Sequence, residues 1–129
     1  MTKPSLGLVV VRSADIEQTL RFYRALGLEF TEEQHGNGPV HYACDLGGTV
    51  IEIYPGKPGT APDRRAGGAT LLGFQVGLLE VTLKAIAEIG ATVLTAPQAS
   101  PWGKRAVVQD PDGRAIELSE RPPQSSRLR

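Results

Sequence analysis

The chain repeats one short pattern, and this repeat limits what it can fold into more than any other feature. Residues 110–118 contain an Asp, a Gly three positions later, and an Ile-Glu pair that ends four positions after the Gly. Residues 45–53 have the same frame at an offset of 65 positions. Internal repeats indicate a chain built from copies of one structural unit. We therefore expect two similar halves.

Each half predicts the same order of elements. Ile16, Leu20 and Tyr23 fall at helical spacing, with Asp15 or Ser13 as the N-cap and Gly27 as the stop signal. A second helix is predicted from Leu79 to the stop at Gly90. Apolar and β-branched runs predict strands at residues 6–11, 28–34, 40–45, 50–54, 71–77, 91–95, 105–110 and 115–118.

The predicted fold class is α+β, with two tandem βαβββ modules at residues 1–54 and 69–120. A Gly- and Pro-rich linker, residues 55–68, joins them, and residues 121–129 form a tail that we expect to be disordered. One face of each sheet covers its helix. The other face needs a partner, so we expect two curved sheets to form a cup-shaped partial barrel.

Composition excludes several classes of function. Fourteen basic and fourteen acidic residues leave no net charge, so no nucleic-acid partner is expected. The apolar run at residues 6–11 is far too short to span a membrane. The single cysteine, Cys44, cannot form an internal disulfide and is expected to pack in the core. These features favour a cytoplasmic protein.

The order of several short motifs resembles the vicinal oxygen chelate superfamily, which includes glyoxalase I, bleomycin resistance proteins and extradiol dioxygenases. The resemblance covers roughly residues 5 to 120. The motifs are Asp15-Ile16, Leu20-Arg21-Phe22-Tyr23, Leu26-Gly27, Glu52, Gly90-Ala91, Trp102-Gly103, Asp110-Pro111-Asp112-Gly113 and Ile116-Glu117-Leu118. It implies the fold predicted above, and cups that are often completed across two chains, hence a homodimer.

For metal-dependent members, the resemblance implies four ligands, one from the first and one from the last strand of each half. The last-strand glutamates match Glu52 and Glu117, whereas the first-strand ligands match Leu8 and Leu71. Leucine has no lone pair, and borderline metals favour nitrogen and sulfur ligands over carboxylates alone. We therefore expect no tightly bound zinc, nickel or iron. A divalent metal at Glu52 and Glu117 stays possible.

Three side chains in the first half are candidates for the site. Strand alternation predicts that Glu52 lies opposite Ile51 and Ile53, where it either lines the cup or is solvated. The same alternatives hold for Glu117. His41 is predicted to point toward the cup, as a metal ligand or proton shuttle, or to be a partly exposed strand histidine. Tyr54 follows Glu52 on the same face and lines the cup or ends the strand.

Loops and termini supply the other candidates. Trp102, in a Pro-Trp-Gly loop, offers a surface on which a ligand ring could stack, or it covers the core or a dimer contact. Arg105 pairs with an anionic ligand or is solvated. His35 lies in a predicted turn and is expected to be a plain surface residue.

Two functions fit these residues. The first, which we favour, is a binding module that holds a small aromatic or amphipathic molecule in a cup lined partly by Leu8 and Leu71. The second is a metal-dependent enzyme, such as a lactoylglutathione lyase-like lyase or a dioxygenase, that uses Glu52, Glu117 and His41. Fold alone cannot decide between them.

Overall fold

The computed structural model describes residues 3–57, 70–101 and 103–120. Within them, eight strands and two helices follow in the order βαβββ-βαβββ. The elements are β1 (Leu8–Ser13), α1 (Ile16–Ala25), β2 (Thr31–Glu33), β3 (His41–Asp45), β4 (Val50–Pro55), β5 (Leu72–Val76), α2 (Leu79–Glu88), β6 (Thr92–Gln98), β7 (Arg105–Gln109) and β8 (Ala115–Glu120). The α+β prediction is confirmed. Most of the predicted linker, Trp102 and the predicted tail lie outside the described residues.

Each module forms its own four-stranded sheet. The strand orders are β1-β4-β3-β2 and β5-β8-β7-β6, and the described strands form no closed barrel. The first strand of each module runs parallel to the last, and the other pairs are antiparallel. A parallel pair needs a crossover connection, which includes the helix in both modules. The sequence repeat is therefore a repeat of topology.

Two strands differ from their predicted bounds. β2 covers only three residues, and Leu28 and Phe30, predicted to belong to it, lie before the strand with their side chains in the core. β6 runs three residues beyond the predicted end at Thr95 and includes Pro97. Proline is tolerated there because β6 is the edge strand of its sheet and its pairing with β7 contains register shifts.

The start of α1 is set by local hydrogen bonds. Asp15 is the N-cap, and its Oδ1 accepts a hydrogen bond from the backbone N–H of Gln18 at 3.2 Å. Ser13 Oγ accepts one from the backbone N–H of Asp15 at 3.2 Å and is also hydrogen-bonded to Thr19 Oγ1 at 2.8 Å. The structure thus selects Asp15 over Ser13 as the cap, and Ser13 supports it.

Both modules share one hydrophobic core. Its sheet residues lie on the strand faces opposite Glu52 and Glu117, as alternation predicts. The fully buried apolar side chains include Phe22, Ile53, Leu79, Ile86, Val108, Ile116 and Leu118. Cys44 is buried among them, which confirms its predicted role, and burial raises the pKa of its thiol.

The turn between β7 and β8 joins the two modules through a buried carboxylate. Asp110 Oδ2 accepts hydrogen bonds from the Tyr23 hydroxyl of α1 at 2.7 Å and from Arg114 Nη1 at 2.9 Å. Asp110 Oδ1 accepts the backbone N–H groups of Asp112 and Arg114, both at 2.9 Å. Arg114 also donates to the carbonyl of Arg12. The Asp-Pro-Asp-Gly turn therefore acts as a junction, not only as a hairpin.

The second aspartate of this turn reaches the start of α1. Asp112 Oδ1 accepts the backbone N–H of Ala14, and Asp112 Oδ2 accepts the Thr19 hydroxyl, both at 3.0 Å. Thr19 is buried and is the same residue that bonds to Ser13. The cap of α1 in the first module is thus tied to a turn in the second.

We expect Tyr23→Phe to lower the free energy of unfolding by roughly 1.5–3 kcal/mol, the range for a hydrogen bond to a charged group. The matched control is Tyr42→Phe, because the Tyr42 hydroxyl makes only a 3.4 Å, exposed contact with Glu32. Urea unfolding of both variants measures the difference. Equal loss in the two variants would contradict the junction's importance.

The decrease in the free energy of unfolding at alkaline pH should also depend on Tyr23. Burial, and next the Asp110 carboxylate, raise the pKa of Tyr23 well above its usual value. The unfolded chain loses this proton above about pH 10, whereas the folded protein retains it. The Tyr23 contribution to the free energy of unfolding is therefore complete below that pH and is lost as the pH rises toward the folded-state pKa. Urea unfolding should show a shallower alkaline decline for Tyr23→Phe, and parallel curves would refute this.

Candidate functional site

One face of the first sheet turns away from the shared core, and we call it the first open face. The register places Val10 of β1 and Ala43 of β3 on either side of Glu52. Leu8 and Tyr54 lie on the same face, since each is two residues from one of these positions. Leu8 is 52% exposed and Val10 is 40% exposed. A carboxylate thus stands in an apolar surface that is open to solvent.

The equivalent face of the second sheet, the second open face, has a different character. Gly73 of β5 and Val107 of β7 lie on either side of Glu117. Arg105 Nη2 donates to Glu117 Oε1 at 2.6 Å, and both side chains are about one-third exposed. Arg105, predicted to bind an anion or to be solvated, is therefore paired with Glu117. The prediction missed this contact because the two residues lie on different strands.

His41 lies on the first open face but is covered. Its side chain is only 1% exposed, so the partly exposed alternative is wrong. The Tyr54 ring stacks on it with centroids 4.2 Å apart and an interplanar angle of 7°. The Arg12 guanidinium also lies over the Tyr54 ring, 5.4 Å from its centroid. Tyr54 is thus engaged with protein groups as well as lining the face.

The nitrogen atoms of His41 face different partners. Nδ1 lies 3.2 Å from the Pro39 carbonyl oxygen. Nε2 lies 3.3 Å from Glu33 Oε1, 3.4 Å from the Tyr54 hydroxyl and 3.9 Å from Glu52 Oε2. His41 and Glu52, both predicted as site residues, are therefore close together.

Two residues of this group were missed. Glu33 on β2 is the direct register partner of His41 on β3. His35 is 74% exposed, as a surface residue should be, yet its ring lies 5.0 Å from that of His41 and its Nε2 lies 3.6 Å from Glu33 Oε1. Ligand atoms of the three side chains all lie within 4.8 Å of one another. A hairpin prediction across Gly36 and Gly38 could have found this pairing.

With this geometry established, comparison with known proteins gives the family. The family model described as Glyoxalase/Bleomycin resistance protein/Dioxygenase superfamily matches residues 5–118. The chain belongs to this superfamily. The resemblance inferred from the motif order is confirmed.

Several solved structures share the fold, and two of them are described as glyoxalase/bleomycin resistance protein/dioxygenase proteins. A glyoxylase/bleomycin resistance protein/dioxygenase domain from Frankia sp. EAN1pec has a TM-score of 0.69 at 23% identity, covering 94% of this chain and 100% of that chain. A family enzyme from Burkholderia phytofirmans PsJN gives 0.68 at 21%, covering 91% and 98%. TnmS3, an antibiotic binding protein from Streptomyces sp. CB03234, gives 0.66 at 22%, covering 95% and 99%.

At these identities the similarity establishes the fold alone. No curated protein matches the chain by sequence. No helix in the described parts of the chain is long and apolar enough to cross a membrane.

The four-ligand metal position of the superfamily does not fit the residues present. Leu8 and Leu71 are hydrocarbon side chains, and the register adds Val10 beside Glu52 and Gly73 beside Glu117. The neighbouring first strands therefore offer no donor side chain at these points. Glu117 is in addition neutralised by Arg105. Two carboxylates, one of them paired, do not form a site for a borderline metal.

A further concave region of this superfamily member lies away from both open faces. It has a volume of about 380 Å³ and lies between α1 and the turn at Asp110, with Arg21, Phe22 and Gly90 among its lining residues. Its size falls within the range for small-molecule sites. Asp110 is already saturated by the junction, and within the described part of the chain Arg21 forms no ion pair.

Proposed function

We propose that this superfamily member binds a small, planar and partly apolar molecule against its open sheet faces, without metal chemistry at Glu52 and Glu117. The observation that carries the proposal is the exposure of Leu8 and Val10 around Glu52. Burying exposed apolar surface contributes roughly 25 cal/mol per Å². A ligand ring laid across these side chains would gain this energy.

Glu52 is the polar contact in this proposal. Its side chain is 17% exposed and lies between Val10 and Ala43, so it could accept a hydrogen bond from a hydroxyl group or pair with a cationic group of the ligand. Glu117 and Arg105 would recognise a ligand mainly as a neutral pair. Trp102 is proposed as the aromatic contact on the evidence of the Pro-Trp-Gly sequence alone.

Two proteins with a similar fold are compatible with two different functions. TnmS3 is an antibiotic binding protein, which is compatible with binding without chemistry. ChaP-H2 is an oxidase with a TM-score of 0.65 at 19% identity, which is compatible with the alternative that this chain is an enzyme. We favour binding because the residues at the four-ligand position offer two carboxylates and no nitrogen donor.

We also propose that the protein is a homodimer. β1 and β5 are edge strands of their sheets, and edge strands have free backbone groups that can pair with another chain. Leu8 on β1 and Leu71, next to β5, are both about half exposed. A second copy would cover these edges and complete the cup.

The unpaired, buried Cys44 fits a reducing cytoplasm, which we propose as the location.

Light scattering tests the homodimer. The full chain should have twice the mass of one chain at micromolar concentration, and Leu71→Asp should shift it toward the monomer because a charge would be buried at the interface. Leu46→Asp is the matched control, since Leu46 is 48% exposed but lies in the β3–β4 turn and not on β1 or β5. A monomer at all concentrations would contradict the proposal.

Fluorescence tests ligand binding, because the chain has one tryptophan. We expect 1-anilinonaphthalene-8-sulfonate or 2-naphthol to quench Trp102 emission saturably. Trp102→Ala should keep the far-UV circular dichroism spectrum and weaken binding of the naphthalene sulfonate, followed by its own emission, by about tenfold, equal to about 1.4 kcal/mol. Val10→Asp should also weaken it, with Leu46→Asp unchanged.

Two outcomes would count against this proposal. If neither compound perturbs Trp102 emission, the aromatic ligand class is wrong. If Trp102→Ala mainly unfolds the protein, Trp102 has a structural role and binding must be assigned from Val10 and Glu52 alone.

A further inference from the structure

We propose that Glu33, His35 and His41 form a binding site for a divalent transition metal, and we call them the hairpin triad. Its ligands come from β2, β3 and the turn between them. The site is therefore different from the four-ligand position of Glu52 and Glu117. It stands independently of the proposed ligand-binding function.

The spacing of the triad suits direct coordination. Glu33 Oε1 lies 3.3 Å from His41 Nε2 and 3.6 Å from His35 Nε2. A tetrahedral zinc ion with bonds of roughly 2.0–2.1 Å has ligand atoms about 3.3 Å apart. Two of the three ligand–ligand distances are thus near this value. The ligand atoms of the two imidazoles lie within 4.8 Å of each other, and His35 is exposed, so its ring is free to turn toward the metal.

The His41 ring is oriented as a metal ligand should be. A ring nitrogen facing a carbonyl oxygen can only donate, so Nδ1 carries the hydrogen toward Pro39. This leaves Nε2 pointing into the triad. Histidines that bind metals commonly donate their other N–H to a backbone carbonyl in this way. Stacking on Tyr54 and near-complete burial hold the ring in place.

The charges around Nε2 call for a cation. Glu33 and Glu52 both direct carboxylate oxygens at this one buried nitrogen, at 3.3 and 3.9 Å. The Tyr54 hydroxyl can donate to Nε2 at 3.4 Å, but it does not offset the negative charge of the two carboxylates. A metal ion in the triad would offset that charge and accept the Nε2 lone pair. The exposed His35 favours the metal, because its Nε2 faces Glu33 as well.

The donor set indicates the kind of metal. Two imidazole nitrogens and one carboxylate suit Zn²⁺, Ni²⁺, Cu²⁺ or Fe²⁺, whereas Mg²⁺ and Ca²⁺ prefer oxygen donors alone. Three protein ligands leave one coordination position for water. We choose Zn²⁺ as the metal with which to test the site. A metal site at the hairpin triad differs from the expectation drawn from the sequence, in which Glu52 and Glu117 were the candidate ligands and His41 a further one.

Calorimetry of the full chain, carrying no histidine tag and stripped with EDTA, tests the site. We expect one Zn²⁺ per chain. Glu33→Gln and His35→Ala should each weaken binding at least tenfold while leaving the circular dichroism spectrum unchanged. Glu32→Gln is the matched control, because Glu32 is adjacent in sequence but lies on the other face of β2 and contacts Tyr42 instead.

Imidazole NMR gives a second readout that does not depend on affinity. The chain has only two histidines, so their ring resonances can be assigned by His35→Ala. Both rings should shift in step with Zn²⁺ up to one equivalent. Co²⁺ should give visible absorption bands typical of nitrogen and oxygen coordination.

Several results would overturn the proposal. Absence of saturable Zn²⁺ binding would mean that the triad is a hydrogen-bonded cluster and not a metal site. Binding that persists in Glu33→Gln and His35→Ala would place the metal elsewhere. Loss of binding in Glu117→Gln, with His35→Ala unaffected, would instead assign the metal to the four-ligand position and would also contradict the metal-free part of the proposed function.

Discussion

The buried carboxylate of Asp110 is the interaction on which the rest of the fold depends. It is saturated by a tyrosine hydroxyl, a guanidinium and two backbone N–H groups. A buried charge that loses one partner is costly, so these groups are held in a single arrangement. Because Tyr23 belongs to the first module and Arg114 to the second, that arrangement also sets how the modules meet. The core around Phe22 and Leu118 packs between modules whose relative position the polar contacts of Asp110 help to fix.

This arrangement leaves one face of each sheet free for function. The helices and the inner strand faces are used for the shared core, whereas the faces with Glu52 and Glu117 are not. The two free faces have diverged in chemistry. The first combines exposed apolar side chains with an acidic and imidazole cluster, and the second carries a closed ion pair between Arg105 and Glu117.

Local features of the fold could be predicted from the sequence, and contacts between strands could not. The repeat, the helix positions, the Asp15 cap and the alternation around Glu52 all depend on residues near one another in the chain. In contrast, the pairing of Arg105 with Glu117 and the stacking of His41 on Tyr54 depend on strand register. Asp110 was predicted as the end of a strand and the start of the Asp-Pro-Asp-Gly motif, and its contact with Tyr23 spans 87 positions. Helical periodicity shows that Tyr23 is buried but not what its hydroxyl meets.

The two register shifts in β6 determine which side chains the hairpin of the second module can bring together. The repeat offset relates Glu33 and His41 to Gln98 and Ala106, but the observed partner of Gln98 is Arg105. In the first half, the equivalent positions are direct partners. Substituting Glu and His into the second half would therefore not recreate the triad, because the shifted strand no longer sets these positions opposite each other. The two modules therefore share one topology, but their hairpins cannot present the same set of side chains.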